Sequence, residues 1–298
     1  MRAGAAFAKH LVVSLALLLA GACATTSVTV GEQAGALRAG AGAARAHAAN
    51  AFSAANQIAR ENAIERKLDL AEPPTRQRSL SEDDFPRAVA IDDAAKWDRA
   101  FAELDAYFVA LQSLVDPERA RMTGDGVTTL LNQLRGEPVQ AEMPAGVGAA
   151  FATLAQALVQ ARAEREATAV LRRVDPAFNE LMTAMADAIG EDDVSDLRGT
   201  VSVNWSNRLS ELRSDYASAA NRSARQTVIA RFLAAADARD AQLAQLAQLR
   251  AALLALGEAH SAAARGSRGD MMFWMNRVDA WVSDFERRRQ TLAAGAGG

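Results

Sequence analysis

Beyond Pro176 the chain contains no proline, and apolar side chains return there at helical intervals: Val194, Leu197, Val201, Trp205, Leu209, Leu212, Tyr216. Spacings of three and four keep these residues on one face of a 3.6-residue helix, whereas a strand would scatter them over both faces. After a polar interval at Asn221-Arg222-Ser223 the seam resumes through Val228, Phe232, Leu243, Leu246, Leu249, Leu253, Leu256 and His260. Two arrangements fit this stretch, one shared helix over 193–264 or a break at the polar interval. A final seam, Met271, Trp274, Val278, Trp281 and Phe285, starts after Asp270, which is suited to cap it.

The earlier chain repeats the pattern. An alanine-rich seam from Gln33 to Arg66 runs Leu37, Ala41, Ala44, Ala48, Phe52, Ala55, Ile58, and its small residues let a neighbour approach closely, while Gly40 and Gly42 weaken the helix locally. Asp92-Asp93 opens another helix with the seam Trp97, Phe101, Leu104, Phe108, Leu111, Val115, closed by Asp116-Pro117. A short helix is expected over 126–135. From 145 to 189 the seam Val147, Phe151, Leu154, Leu158, Ala161, Leu171, Val174, Phe178, Leu181, Met185 is crossed by Asp175-Pro176, where a kink or restart is expected. The fold class that follows is all-α, an elongated antiparallel bundle with long coiled-coil-like helices. In it 145–189 folds back on 193–237, and 270–292 on 238–264.

Two segments stand apart from the bundle at 33–298. Residues 69–90 carry Pro73, Pro74 and Pro86 among mixed charges. A loop of that length is a mobile connector or a partner-binding segment, with Arg76, Arg78, Asp83 and Asp84 as its contact residues. At the N-terminus, Arg2 and Lys9 precede an apolar run from Leu11 to Ala20, too short to cross a bilayer comfortably and followed by small residues, the form of a secretory signal over 1–22. The lone cysteine comes next, and 23–32 form a polar tether.

The residues Leu19-Ala20-Gly21-Ala22-Cys23 resemble the lipobox of bacterial lipoproteins. That resemblance implies cleavage before Cys23 and acylation of it, the covalent lipid being the only non-protein group expected. Several acyl chains, at about 0.8 kcal/mol per buried CH₂, make a firm anchor. Ala24, in place of the aspartate that favours inner-membrane retention, implies the outer membrane, with the body facing the periplasm. An ordinary secretory signal would leave Cys23 as an unpaired thiol.

Chemistry is sparse elsewhere. Without Arg2 and Lys9 the formal charge of −3 becomes −5, which argues against a general nucleic-acid binder. Of the three histidines His10 leaves with the signal, and no Glu-x-x-His element of the kind used by di-iron bundles accompanies His47 or His260. Leu256-Gly257-Glu258-Ala259-His260 departs from the Gly-x-His-x-x-Glu element of imelysin-like envelope proteins, and Ala263 replaces the acid. No Gly-x-Ser-x-Gly or phosphate loop occurs. The acid pairs Asp83-Asp84, Asp92-Asp93 and Asp192-Asp193 fall where helix starts need them. Cofactors, metals and catalytic residues are therefore not expected.

The function expected is that of a non-enzymatic scaffold contacting an envelope protein partner, with Met272 and Met275 beside Trp274 as a second contact patch. A different class, a periplasmic bundle binding a small apolar or anionic ligand, would place Trp97, Phe101, Trp274 and Trp281 around one cavity. A hydrolase of cell-wall material is a third class, for which the sequence offers no residues.

Overall fold

A computed structural model describes the backbone of residues 4–69, 81–115, 146–161 and 167–296, and side chains from Gly31 onward with gaps near helix ends. Seven α-helices account for almost all of it: α1 Gly4–Asp69, α2 Ile91–Val115, α3 Val147–Ala161, α4 Ala167–Ile189, α5 Asp196–Ser218, α6 Arg222–Ala264 and α7 Arg268–Ala296, with a 3₁₀ turn at Glu82–Asp84. No strand occurs among the described residues. The helices pack as an antiparallel bundle around one continuous core.

The hub is α6, 43 residues long and hence about 65 Å at 1.5 Å per residue. Its C-terminal half lies between α1, α4 and α7, and its N-terminal half pairs with α5. The seam residues explain this directly. Leu246, Leu249, Leu253 and Leu256 are buried, and between and beyond them Ala252, Ala255, Ala259, Ala262 and Ala263 are small enough to let flanking helices approach from several sides. On α1, Gly40 allows the closest approach, since a Cβ there would lie 2.8 Å from Met275 Cε and 3.0 Å from Leu256 Cδ2. Gly42 faces open space, so only Gly40 has a packing reason.

Of the two arrangements open for 193–264, the break is the one observed: α5 ends at Ser218 and α6 begins at Arg222, where Asn221 accepts a hydrogen bond from the Ala224 amide at 2.9 Å. That side-chain cap makes the polar interval a turn. Of the kink or restart expected at Pro176, the restart does not occur, since α4 is helical through it. Pro176 and Arg172, whose carbonyl loses its partner to the ring, are both exposed, so the forfeited hydrogen bond lies on the solvent side. One expectation needs correction: 145–189 does not fold back on 193–237, since α4 packs chiefly on the second half of α6, through Arg250, His260 and Ser261, and little on α5. A seam states which face is buried but not which helix covers it. The pairing of α7 with the second half of α6 is as expected; the short helix at 126–135 lies outside the described residues.

Candidate functional site

The least ordinary place in the core is a chain of polar groups that crosses three helices. Tyr107 on α2 and His260 on α6 are both fully buried, and the Tyr107 hydroxyl lies 2.7 Å from His260 Nε2. The other ring nitrogen, Nδ1, lies 2.8 Å from Asp175 Oδ1 on α4. Asp175 also accepts from Ser261 Oγ (2.9 Å to Oδ1, 3.0 Å to Oδ2) and from Asn179 Nδ2 at 3.1 Å. Asn179 Nδ2 in addition donates to Ser261 Oγ at 2.8 Å and to the Asp175 carbonyl at 3.0 Å. Phe178 stacks on the imidazole at 4.3 Å between centroids and on the Tyr107 ring at 5.3 Å.

Each member is positioned by its helix. Tyr107 follows Leu104 by three residues and precedes Leu111 by four, on the flank of the buried stripe. Asp175 and Asn179 are one turn apart around Phe178, and His260 and Ser261 close the leucine seam. Gly257, one turn before Ser261, lets α4 close on α6: a Cβ there would lie 2.7 Å from Asn179 Oδ1.

The hydrogen bonds assign one protonation pattern. Asp175 as a carboxylate can only accept, so His260 carries its proton on Nδ1 and Nε2 accepts from the tyrosine hydroxyl. A neutral imidazole satisfies every contact. Burial holds the imidazole below its ordinary value of 6.5 despite the attraction of Asp175. Partial burial would raise Asp175, but its hydrogen bonds from His260 and Ser261 and the charges of His260 and Arg265 bring it below 3.8. Burial, then the Asp175 charge, push Tyr107 well above 10.0.

A Tyr-His-Asp relay has the connectivity of a nucleophile, base and orienting acid. Chemically, however, its tyrosine and histidine are sealed from solvent, and only the Asp175 end, with side-chain exposure of 23%, reaches the surface. As built, it fixes the mutual register of α2, α4 and α6. Periodicity does not reveal it, because Tyr107 lies one position off the main seam and Asp175 directly precedes a proline. The available signal was an acid and an amide four residues apart on either flank of Phe178.

The residues singled out in the sequence fall elsewhere. Cys23 and Ala24 lie within α1, before the described side chains. Arg76 and Arg78 are outside the described residues. Asp83 is exposed in the 3₁₀ turn. Asp84 closes a capping box with Ser81 and lies 2.6 Å from Lys67 Nζ; the Lys67 hydrogen bond, then that of the Ser81 amide, hold it below its ordinary value. Met272 is exposed, but Met275 is buried against Gly40 and Leu256, so it belongs to the core and not to a contact surface. Helix α7 simply continues its buried stripe through Met271, Met275 and Val278.

The four aromatics do not share a cavity among the described residues. Trp97 and Phe101 border an open groove of about 310 Å³ between α1 and α2, with Phe52 5.6 Å from Trp97. Trp281 borders a gap of only about 10 Å³ beside His47 and Leu249, and Trp274 and Trp281 lie under the guanidinium of Arg277, 5.3 Å from each ring. Among the described residues no cluster of His, Cys, Asp and Glu is arranged to hold a metal ion, and no helix is long and apolar enough to cross a membrane. No known protein family, curated protein or solved structure matches the chain.

Proposed function

We propose that this protein is an outer-membrane lipoprotein whose helical bundle serves as a non-enzymatic scaffold in the cell envelope. One observation carries the reading: the only cysteine follows a basic, then apolar, leader and the small residues Gly21-Ala22, and is itself followed by alanine. Acylation gives Cys23 a role, and that lipid is the attachment to the membrane.

The architecture suits such a role. Leu37, fully buried, lies only fourteen residues after Cys23 on the same helix. An anchor at Cys23 is thus joined almost directly to the core, through about 20 Å of helix at 1.5 Å per residue. Large aromatics fill the core and bind the helices to one another, and the Tyr107–His260–Asp175 chain pins three of them. The envelope protein partner is expected to engage the 69–90 segment.

Replacing Cys23 by serine and fractionating cells tests the anchor. Loss of membrane retention, with a matching loss of the acylated N-terminal peptide in mass spectrometry, is the expected result; unchanged retention of Cys23→Ser would overturn it. Cross-linking from positions 76 and 83 should trap one defined envelope protein, and the absence of any specific adduct would count against the scaffold.

A further inference from the structure

The outer half of α6 carries an exposed stripe that is complementary to itself. Arg222, Arg225, Ile229, Leu233, Asp237 and Asp240 are all exposed, the two aliphatics at 47% and 57%. At about 100° per residue, these positions stay within roughly 60° of one line along the helix. Along that line the stripe reads cationic, apolar, anionic. Positions 222 and 240, 225 and 237, and 229 and 233 are placed symmetrically about position 231.

We infer that a second copy of this chain docks here, antiparallel, about a two-fold axis at position 231. In that register Arg222 of each copy faces Asp240 of the other, Arg225 faces Asp237, and Ile229 meets Leu233. A two-fold contact must be self-complementary, and a stripe with opposite charges at opposite ends of an apolar centre meets that requirement. A parallel pairing would instead set like charges together. Ala230 and Ala236 beside the stripe are small enough for the two helices to come close. Arg222, Arg225 and Asp237 hold no ion pair among the described residues, and there Asp240 accepts only from its half-buried neighbour Arg239, at 2.8 Å. Both ends of the stripe are therefore open to an intermolecular partner. The contact is independent of the lipid. Were both Cys23 lipids in one leaflet, the two-fold axis would stand normal to it and the rods would lie along the surface.

Sedimentation velocity on the full chain carrying Cys23→Ser, in mild detergent so that the leader stays dispersed, tests this. A dimer is expected at tens of micromolar. Arg225→Asp and Asp237→Arg should each weaken it by about tenfold or more, because each sets two like-charge pairs face to face. The double variant, which restores opposite charges in reversed order, should recover dimerisation to within about threefold. Circular dichroism should be unchanged throughout, since both positions are exposed. A monomeric wild type, a dimer indifferent to the single substitutions, or a double variant no better than the singles would each overturn the proposal.

Discussion

The two halves of α6 share one helix, an alanine-rich composition and a hydrophobic stripe, yet they live in different surroundings. From Gln242 to Ala264 the helix is enclosed by α1, α4 and α7, and Leu246, Leu253, Leu256 and His260 are wholly buried. From Arg222 to Ala241 only Val228 is buried, while Ile229 and Leu233 face solvent. The difference lies in the number of neighbours, not in propensity. Three flanking helices turn alanine spacing into core, whereas α5, with the end of α1 touching Arg231 through Glu65 at 3.9 Å, leaves the far side of α6 as a surface.

Substitution should expose that asymmetry most strongly in the aliphatics. Leu253→Ala removes a fully buried side chain from the inner half and should cost about 2–5 kcal/mol in denaturant unfolding. Leu233→Ala in the outer half should stay within about 0.5 kcal/mol for the monomer. Equal costs would erase the distinction.

The polar chain refines it. Tyr107→Phe keeps the packing but leaves the buried His260 Nε2 without its donor, for a loss of about 1–3 kcal/mol. Gln226, exposed on the outer half, should tolerate substitution without measurable change.

Proton linkage gives the next effect. Because the folded imidazole is held below 6.5, the unfolded chain binds the His260 proton first as pH falls. Its stabilising contribution is thus complete above pH 6.5 and erodes below it, by at most about 1.4 kcal/mol per pH unit until the lowered folded value is reached. Asp175, held below 3.8, adds a second loss as pH falls through that value. Tyr107, held above 10.0, turns the sign on the alkaline side, where the unfolded phenol ionises first. Stability against pH should therefore be flat between these limits near neutrality, and His260→Gln should remove the decline just below pH 6.5.

A small effect is also expected at the surface clasp between α1 and α2. Arg38 donates two hydrogen bonds to Asp105, at 2.6 and 2.9 Å, but both side chains are more than 40% exposed. Asp105→Asn should cost less than about 1 kcal/mol and less still at high salt.

How much of this was legible in the sequence follows from what periodicity measures. The spacing of Trp97, Phe101, Leu104, Phe108 and Leu111 specifies a helix and its buried face, and all five are core. It cannot say that Tyr107, one flank over, meets a histidine on a helix more than a hundred residues later. Nor could it choose the neighbour of α4, because α5 and α6 both offer apolar faces. Met272 and Met275 beside Trp274 read as a patch in the sequence, whereas Gly40 on α1 makes room to bury Met275. Pro176 in a helix interior usually kinks or breaks the helix, an effect that its solvent-facing position softens.

Amide hydrogen exchange resolved along α6, on dilute protein, tests the account of this helix most directly. Residues 246–263 should exchange only through global unfolding, and residues 226–240 orders of magnitude faster through local opening. Uniform protection from one end of the helix to the other would contradict it.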